Sequence, residues 1–79
     1  MHLQRLQFDL LYVLVINSGL ILSNTTIKDR VWNKSVSDAV LAVYVRKLRE
    51  KIEPNPGKPI YIETIRELGY RFNESPRAI

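Results

Sequence analysis

Apolar positions along the chain change period several times, and each change marks an element. In Leu3 to Asn17, the residues Leu6, Leu10, Val13, Leu14 and Asn17 follow a three-four spacing, and Asn17-Ser18-Gly19 supplies a stop, so the stretch predicts a helix. Leu11, Tyr12, Val15 and Ile16 fill much of its other side. A helix apolar nearly all round expects cover from two directions. Leu20-Ile21-Leu22, just after a glycine, predicts a short strand. Ser23 is placed to cap a helix over about Asn24 to Trp32, in which Ile27 and Val31 share a face. After the polar break Asn33-Lys34-Ser35, either Ser37 or Asp38 caps a third helix that runs to about Glu53. Pro54 to Pro59 cannot continue a helix and reads as a loop. Ile60 to Ile65 and Gly69 to Phe72 bracket Arg66-Glu67-Leu68, which predicts a β-hairpin. The expected fold is a mainly helical α+β winged helix-turn-helix: three helices, a short strand and a C-terminal hairpin wing. It spans residues 1–73, with a loose tail over 74–79.

The third helix carries the most information. Leu41, Val45, Leu48 and Ile52 form one stripe, which predicts the side facing the core. At about 100° per residue the opposite side holds Ala39, Val43, Arg46 and Glu50, flanked by Ala42 and Lys47. Its first half is small and apolar; its second half is mostly basic. In a helix-turn-helix the second helix of the motif enters the major groove with its N-terminal part nearest the base edges. There small apolar side chains can approach thymine methyl groups, while Arg46 and Lys47 could reach guanine or phosphate. Two other readings stay open at this point: scattered surface apolar residues, which are common, and a face that meets another protein. Arg66 stands at the hairpin tip, where an arginine can enter a minor groove or simply be a solvated charge. Arg71 alternates with Tyr70 and Phe72 and is available to a phosphate or an acidic neighbour. Trp32 ends the second helix and is expected in the core, its indole N–H free for a phosphate or a carbonyl.

Charge sharpens this picture. The formal net charge is +4 with a pI near 9.7, a weak lean towards a polyanion. Its distribution says more: Arg46, Lys47, Arg49 and Lys51 fall close together, Arg66, Arg71 and Arg77 follow, and the first third is nearly neutral. The chain has no cysteine, which removes disulfides and thiolate metal sites and fits a reducing compartment. It shows no signal peptide, and its longest apolar run, Leu10 to Ile16, is far short of the ~20 residues of a membrane span. A cytoplasmic location without membrane contact is therefore expected. His2 is the only histidine, the three glycines are isolated turn residues, and the acidic residues are scattered, with Asp9 placed at the start of the first helix. No catalytic constellation, metal site, cofactor or small-molecule substrate is expected.

The segments "FDLLYVLVINSGLILS", "VW" and "VYVRKLREKIEPNPGKPIYIETIRELGYRF" resemble the C-terminal effector domain of OmpR/PhoB-type response regulators over about residues 3 to 73. The resemblance implies the DNA-binding winged helix of a bacterial transcription regulator in a two-component system. The helix over about 37–53 would lie in the major groove and the wing over about 60–72 in the minor groove. It places Val43, Arg46, Lys47 and Arg49 at recognition-helix positions facing bases or phosphates, and Trp32 at a backbone-contacting position. Thr64 and Arg66 fall on the wing, with Arg66 as the minor-groove arginine. Gly69, Tyr70, Arg71 and Phe72 form the closing strand.

Several residues depart from that pattern. Ala39 to Tyr44 replaces a stretch that is often Arg-Thr-Val-Asp-Val-His, so three polar groups at the base-reading end become apolar. Glu67 stands where a wing glycine is usual. The loop after Trp32, which in the family can contact RNA polymerase, is about two residues shorter, weakening that expectation. "VSDAVL" is similar to the membrane-anchored ToxR/CadC-type relatives. The sequence starts at the first helix, without the family's four-stranded N-terminal sheet, so either it is a piece of a longer protein or the lineage has shed that sheet, and the uncovered side around Leu11, Tyr12 and Val15 is expected to meet another copy or another segment. The rival to DNA binding is a winged-helix protein-interaction module that uses the apolar face of the third helix.

Overall fold

A computed structural model describes residues 3–32 and 34–74. The elements are α1 (Arg5–Ile16), β1 (Ile21–Ser23), α2 (Asn24–Val31), α3 (Asp38–Ile52), β2 (Ile62–Ile65) and β3 (Gly69–Phe72). The order matches the hydrophobic pattern. His2, Arg77 and most of the expected tail over 74–79 lie outside the described residues.

Local chemistry explains the helix starts. Gln4 precedes α1, and the Gln7 side chain, almost fully buried, accepts from the Gln4 N–H at 3.1 Å. Ser23 caps α2, its hydroxyl accepting from the Thr26 N–H at 3.1 Å. Of the two candidates for α3, Ser37 is the cap: its hydroxyl accepts from the Val40 N–H at 3.2 Å, and Asp38 is the first helical residue. Asp9, expected at the start of α1, lies past the first turn and pairs instead with Arg5 at 3.4 Å.

One core gathers a side chain set from all three helices and the wing: Leu10 and Leu14 of α1, Ile27 of α2 with Trp32 just after it, Leu41, Val45 and Leu48 of α3, and Ile62 of β2. Ile52, the fourth member of the predicted stripe, is only half-buried against this core. The second side of α1 finds no cover among the described residues. Phe8, Tyr12, Val15 and Ile16 are exposed, continued by Leu20 and Ile21, and the Phe8 and Tyr12 rings stack at 6.3 Å. Leu11, expected on that open side, is instead half-buried and packs towards the core.

The sheet holds more than the predicted hairpin. Its order is β1-β3-β2, antiparallel throughout. The short strand before α2 pairs with the closing strand of the wing, Leu22 opposite Tyr70 and Ser23 opposite Gly69. This pairing anchors the hairpin to the α1–α2 connection. Gly69 is thus the first residue of the closing strand, as the hairpin reading had it, and not one of the isolated turn glycines. The turn proper runs from Ile65 to Leu68, closed by the Leu68 N–H donating to the Ile65 carbonyl at 2.9 Å, and Glu67 takes its left-handed position at φ 63°. A non-glycine residue there costs about 1–2 kcal/mol.

The candidate nucleic-acid interface

Burial of Leu41, Val45 and Leu48 fixes the rotation of α3 and turns the opposite stripe to solvent. Ala39, Ala42, Val43, Arg46, Lys47 and Glu50 are all exposed, with Val43 at 39%. Tyr44 is rotated away from this stripe. Its ring meets Trp32 edge-on at 5.4 Å and lies 5.3 Å below the Lys47 ammonium, which steadies that cation on the flank of the helix. Trp32 itself is 9% exposed and belongs to the core, as the packing expectation had it.

An ion pair bridges α2 and the start of α3. Lys28 Nζ donates to Asp38 Oδ1 at 2.6 Å across the gap between the two helices. The Lys28 hydrogen bond holds the Asp38 carboxyl below the usual carboxylate range. Because the folded value is the lower one, the ion pair stabilises the fold above the unfolded-state pKa, and that contribution is lost as pH falls through the folded value. Acid titration of the thermal midpoint below about pH 4 should therefore destabilise the native chain more than Asp38→Asn. Parallel curves for the two proteins would contradict the role.

Arg49 departs from its expected place. It is half-buried, and its Nη2 donates to the Ile62 carbonyl and to Thr64 Oγ1, each at 2.7 Å, while the guanidinium lies 5.9 Å from the centre of the Tyr70 ring. Burial pulls this group below the ordinary arginine range and pushes the Tyr70 phenol up. Arg49 is therefore a strut that ties β2 to the flank of α3, rather than a cation turned outward. Thr64 remains exposed while its hydroxyl receives that bond.

A second strut stands one turn further along. Glu53, at the C-terminal end of α3, is 7% exposed, and its carboxylate accepts from the backbone N–H groups of Ile60, Tyr61 and Ile62 at 2.8 to 3.1 Å. Sequence reading passed over this residue. A glutamate at a helix end followed by a proline-rich loop and a strand was the available signal.

Arg71 takes the acidic neighbour, not an outward position. It opposes Glu63 in the β2–β3 register and donates to Glu63 Oε1 from Nη2 at 2.7 Å and from Nε at 3.0 Å. The same hydrogen bond holds the Glu63 carboxyl below its ordinary range. Alternation puts this pair on the sheet face opposite Thr64 and Tyr70, so Arg71 does not join the surface of α3.

The structure therefore brings Ala39, Ala42, Val43, Arg46 and Lys47 together on one exposed helical surface. Arg49 links that helix to Thr64, and two residues beyond Thr64 the wing presents exposed Arg66 at its turn. A helix-turn-helix with an outward cationic helix and a β-hairpin braced beside it defines a winged-helix protein.

Comparison with known proteins agrees. Residues 1–72 match the family described as "Transcriptional regulatory protein, C terminal". The chain is 45% identical over 68 residues to the sensory transduction protein RegX3 of Mycobacterium tuberculosis, covering 84% of this chain and 30% of that protein. Among solved structures it resembles the response regulator DrrB of Thermotoga maritima, an OmpR/PhoB homologue, with TM-score 0.85 and 32% identity over 91% of this chain and 33% of that one. It also resembles the DNA-binding domain of Klebsiella pneumoniae RstA in complex with the RstA box, with TM-score 0.82 and 27% identity over 91% of this chain and 73% of that one. The chain belongs to the C-terminal domain family of transcriptional regulatory proteins, the OmpR/PhoB-type winged helices, which are regulator domains and not enzymes. It spans about 30% of the length of the curated relatives it matches. No helix of the described residues is long and apolar enough to cross a membrane.

Proposed function

We propose that this chain binds double-stranded DNA sequence-specifically, as the effector domain of a bacterial two-component response regulator. The recognition helix α3 enters the major groove and the wing tip reaches the adjacent minor groove. The single observation that carries the reading is the Arg49 strut: from the flank of α3 it bonds to the strand that leads to Arg66, which holds the wing beside the helix that carries the exposed stripe. Arg46 and Lys47 supply cations to phosphates or guanine, and Arg66 supplies one to the minor groove. Ala39, Ala42 and Val43 lie against the base edges. Trp32 and Thr64 border the surface; Arg49 and Arg71 contribute through the wing they brace. A DNA partner of this kind places the domain in the cytoplasm. The exposed apolar side of α1, from Phe8 to Ile16, is a surface for a second copy or another segment of the parent protein.

Titration with duplex DNA at two salt concentrations tests the reading. If four phosphates are neutralised, affinity falls with a log–log slope near −3.6, or on the order of 100-fold between 50 and 200 mM salt. Arg46→Ala and Arg66→Ala should each cost about 1–3 kcal/mol of binding if they touch bases. A flat salt response, with both variants binding as the native chain does, removes DNA as the partner and favours the protein-interaction module.

A further inference from the structure

The first two turns of α3 are chemically unusual for a surface that meets base pairs. Between Asp38 and Arg46 the only polar side chain is Tyr44, and it is turned against Trp32. Asp38 is engaged by Lys28, and the Ser37 hydroxyl oxygen accepts the cap bond from Val40. Beyond these two exposed but already bonded residues, what faces outward over the first two turns is Ala39, Ala42 and Val43, none with a hydrogen-bonding group. One turn further on, Arg46 and Lys47 are exposed, so the apolar patch is continuous with cations that complement a phosphate backbone.

A major-groove surface of this kind cannot read the donor and acceptor pattern of a base pair. The one apolar feature that the groove offers is the C5-methyl group of thymine. Two alanines and a valine leave a shallow surface that lets the helix axis approach closely, and the valine supplies branched methyl groups to pack against that C5-methyl.

Resting on the DNA-binding reading above, we infer that the N-terminal half of α3 selects its site by contact with base C5-methyl groups, through Ala39, Ala42 and Val43, and that hydrogen-bonded reading begins only at Arg46. The chain therefore prefers sites with thymine under the first two turns of α3. At those positions 5-methylcytosine serves as well as thymine, because no side chain there reads the exocyclic oxygen or amine.

The test starts from duplexes selected by the chain out of a random pool. Thymines under α3 are replaced one at a time by deoxyuracil, which removes the methyl and keeps every hydrogen-bonding group. The expected result is about fourfold weaker binding for each contacted methyl, the effect of exposing one apolar carbon. Deoxyuracil outside the contacted positions should leave affinity unchanged. Cytosine at a contacted position should bind weakly, and 5-methylcytosine should restore affinity. Val43→Ala, at an exposed position, should abolish most of the uracil penalty at the base that Val43 touches. Equal binding of the thymine and deoxyuracil duplexes overturns the inference while leaving DNA binding intact. Failure to bind any duplex overturns the DNA-binding reading itself, and this one with it.

Discussion

Gly69→Ala is expected to cost on the order of 4 kcal/mol of stability, more than an ordinary overpacked core position. A Cβ at Gly69 would stand 1.8 Å from the Leu22 carbonyl oxygen, 2.8 Å from the Leu22 carbonyl carbon and 2.9 Å from Ser23 Cα. These are backbone atoms of the neighbouring strand, so no side chain can swing aside. The β1–β3 ladder has to open, and with it goes the pairing that fixes the wing to the body of the domain. For a chain of 79 residues the total stability is roughly 4–12 kcal/mol, so much of the population would be unfolded or would carry a detached wing. Urea denaturation should show a large drop in midpoint. Gly57→Ala is the control: its nearest neighbour is the Asn55 Oδ1 at 3.4 Å, and its midpoint should hardly move. Equal midpoints for Gly69→Ala and Gly57→Ala would show that the strand contact is not as close as described.

Glu53→Ala is expected to destabilise the fold by about 3 kcal/mol. The carboxylate is the common acceptor for three successive backbone N–H groups at the entry to β2. Ile62 is fully buried, so its N–H has no ready access to water once the acceptor is removed. Leaving a buried donor unsatisfied costs more than a hydrogen bond contributes when made. Glu53→Gln should recover part of the loss, since the amide oxygen still accepts whereas its NH₂ group faces donors. The consequence extends to the wing, because Ile62 also offers Arg49 its carbonyl. Protection of the Ile60, Tyr61 and Ile62 amides from hydrogen exchange gives a local readout. Loss of protection there before the helices open is the expected pattern; unchanged protection in Glu53→Ala would refute the assignment.

These two residues show where sequence reading stopped. The helices were legible because their determinants lie within a few residues of one another: the three-four spacing of Leu41, Val45 and Leu48, the serines at 23 and 37 within reach of the N–H groups they cap, the prolines that follow Glu53. The outward stripe of Ala39, Val43 and Arg46 followed from the same periodicity. The sequence leaves Arg49 as an outward cation and Arg71 open between a phosphate and an acidic neighbour, because it records a charge and not its partner. Arg49 turned out to brace the wing and Arg71 to answer Glu63.

Composition, period and capping residues alone determined that this chain has three helices and a hairpin, which side of α3 is buried, and that a basic, apolar-edged stripe faces outward. Only the tertiary structure decided that β1 joins the hairpin in a three-stranded sheet, that Gly69 must be small, that Glu67 takes the left-handed turn position, and that Arg49 and Glu53 set the wing beside α3. The division has a physical cause. Helical period and capping are interactions over three or four residues, whereas strand register and buried hydrogen bonds join groups that meet only after the chain has closed its loops.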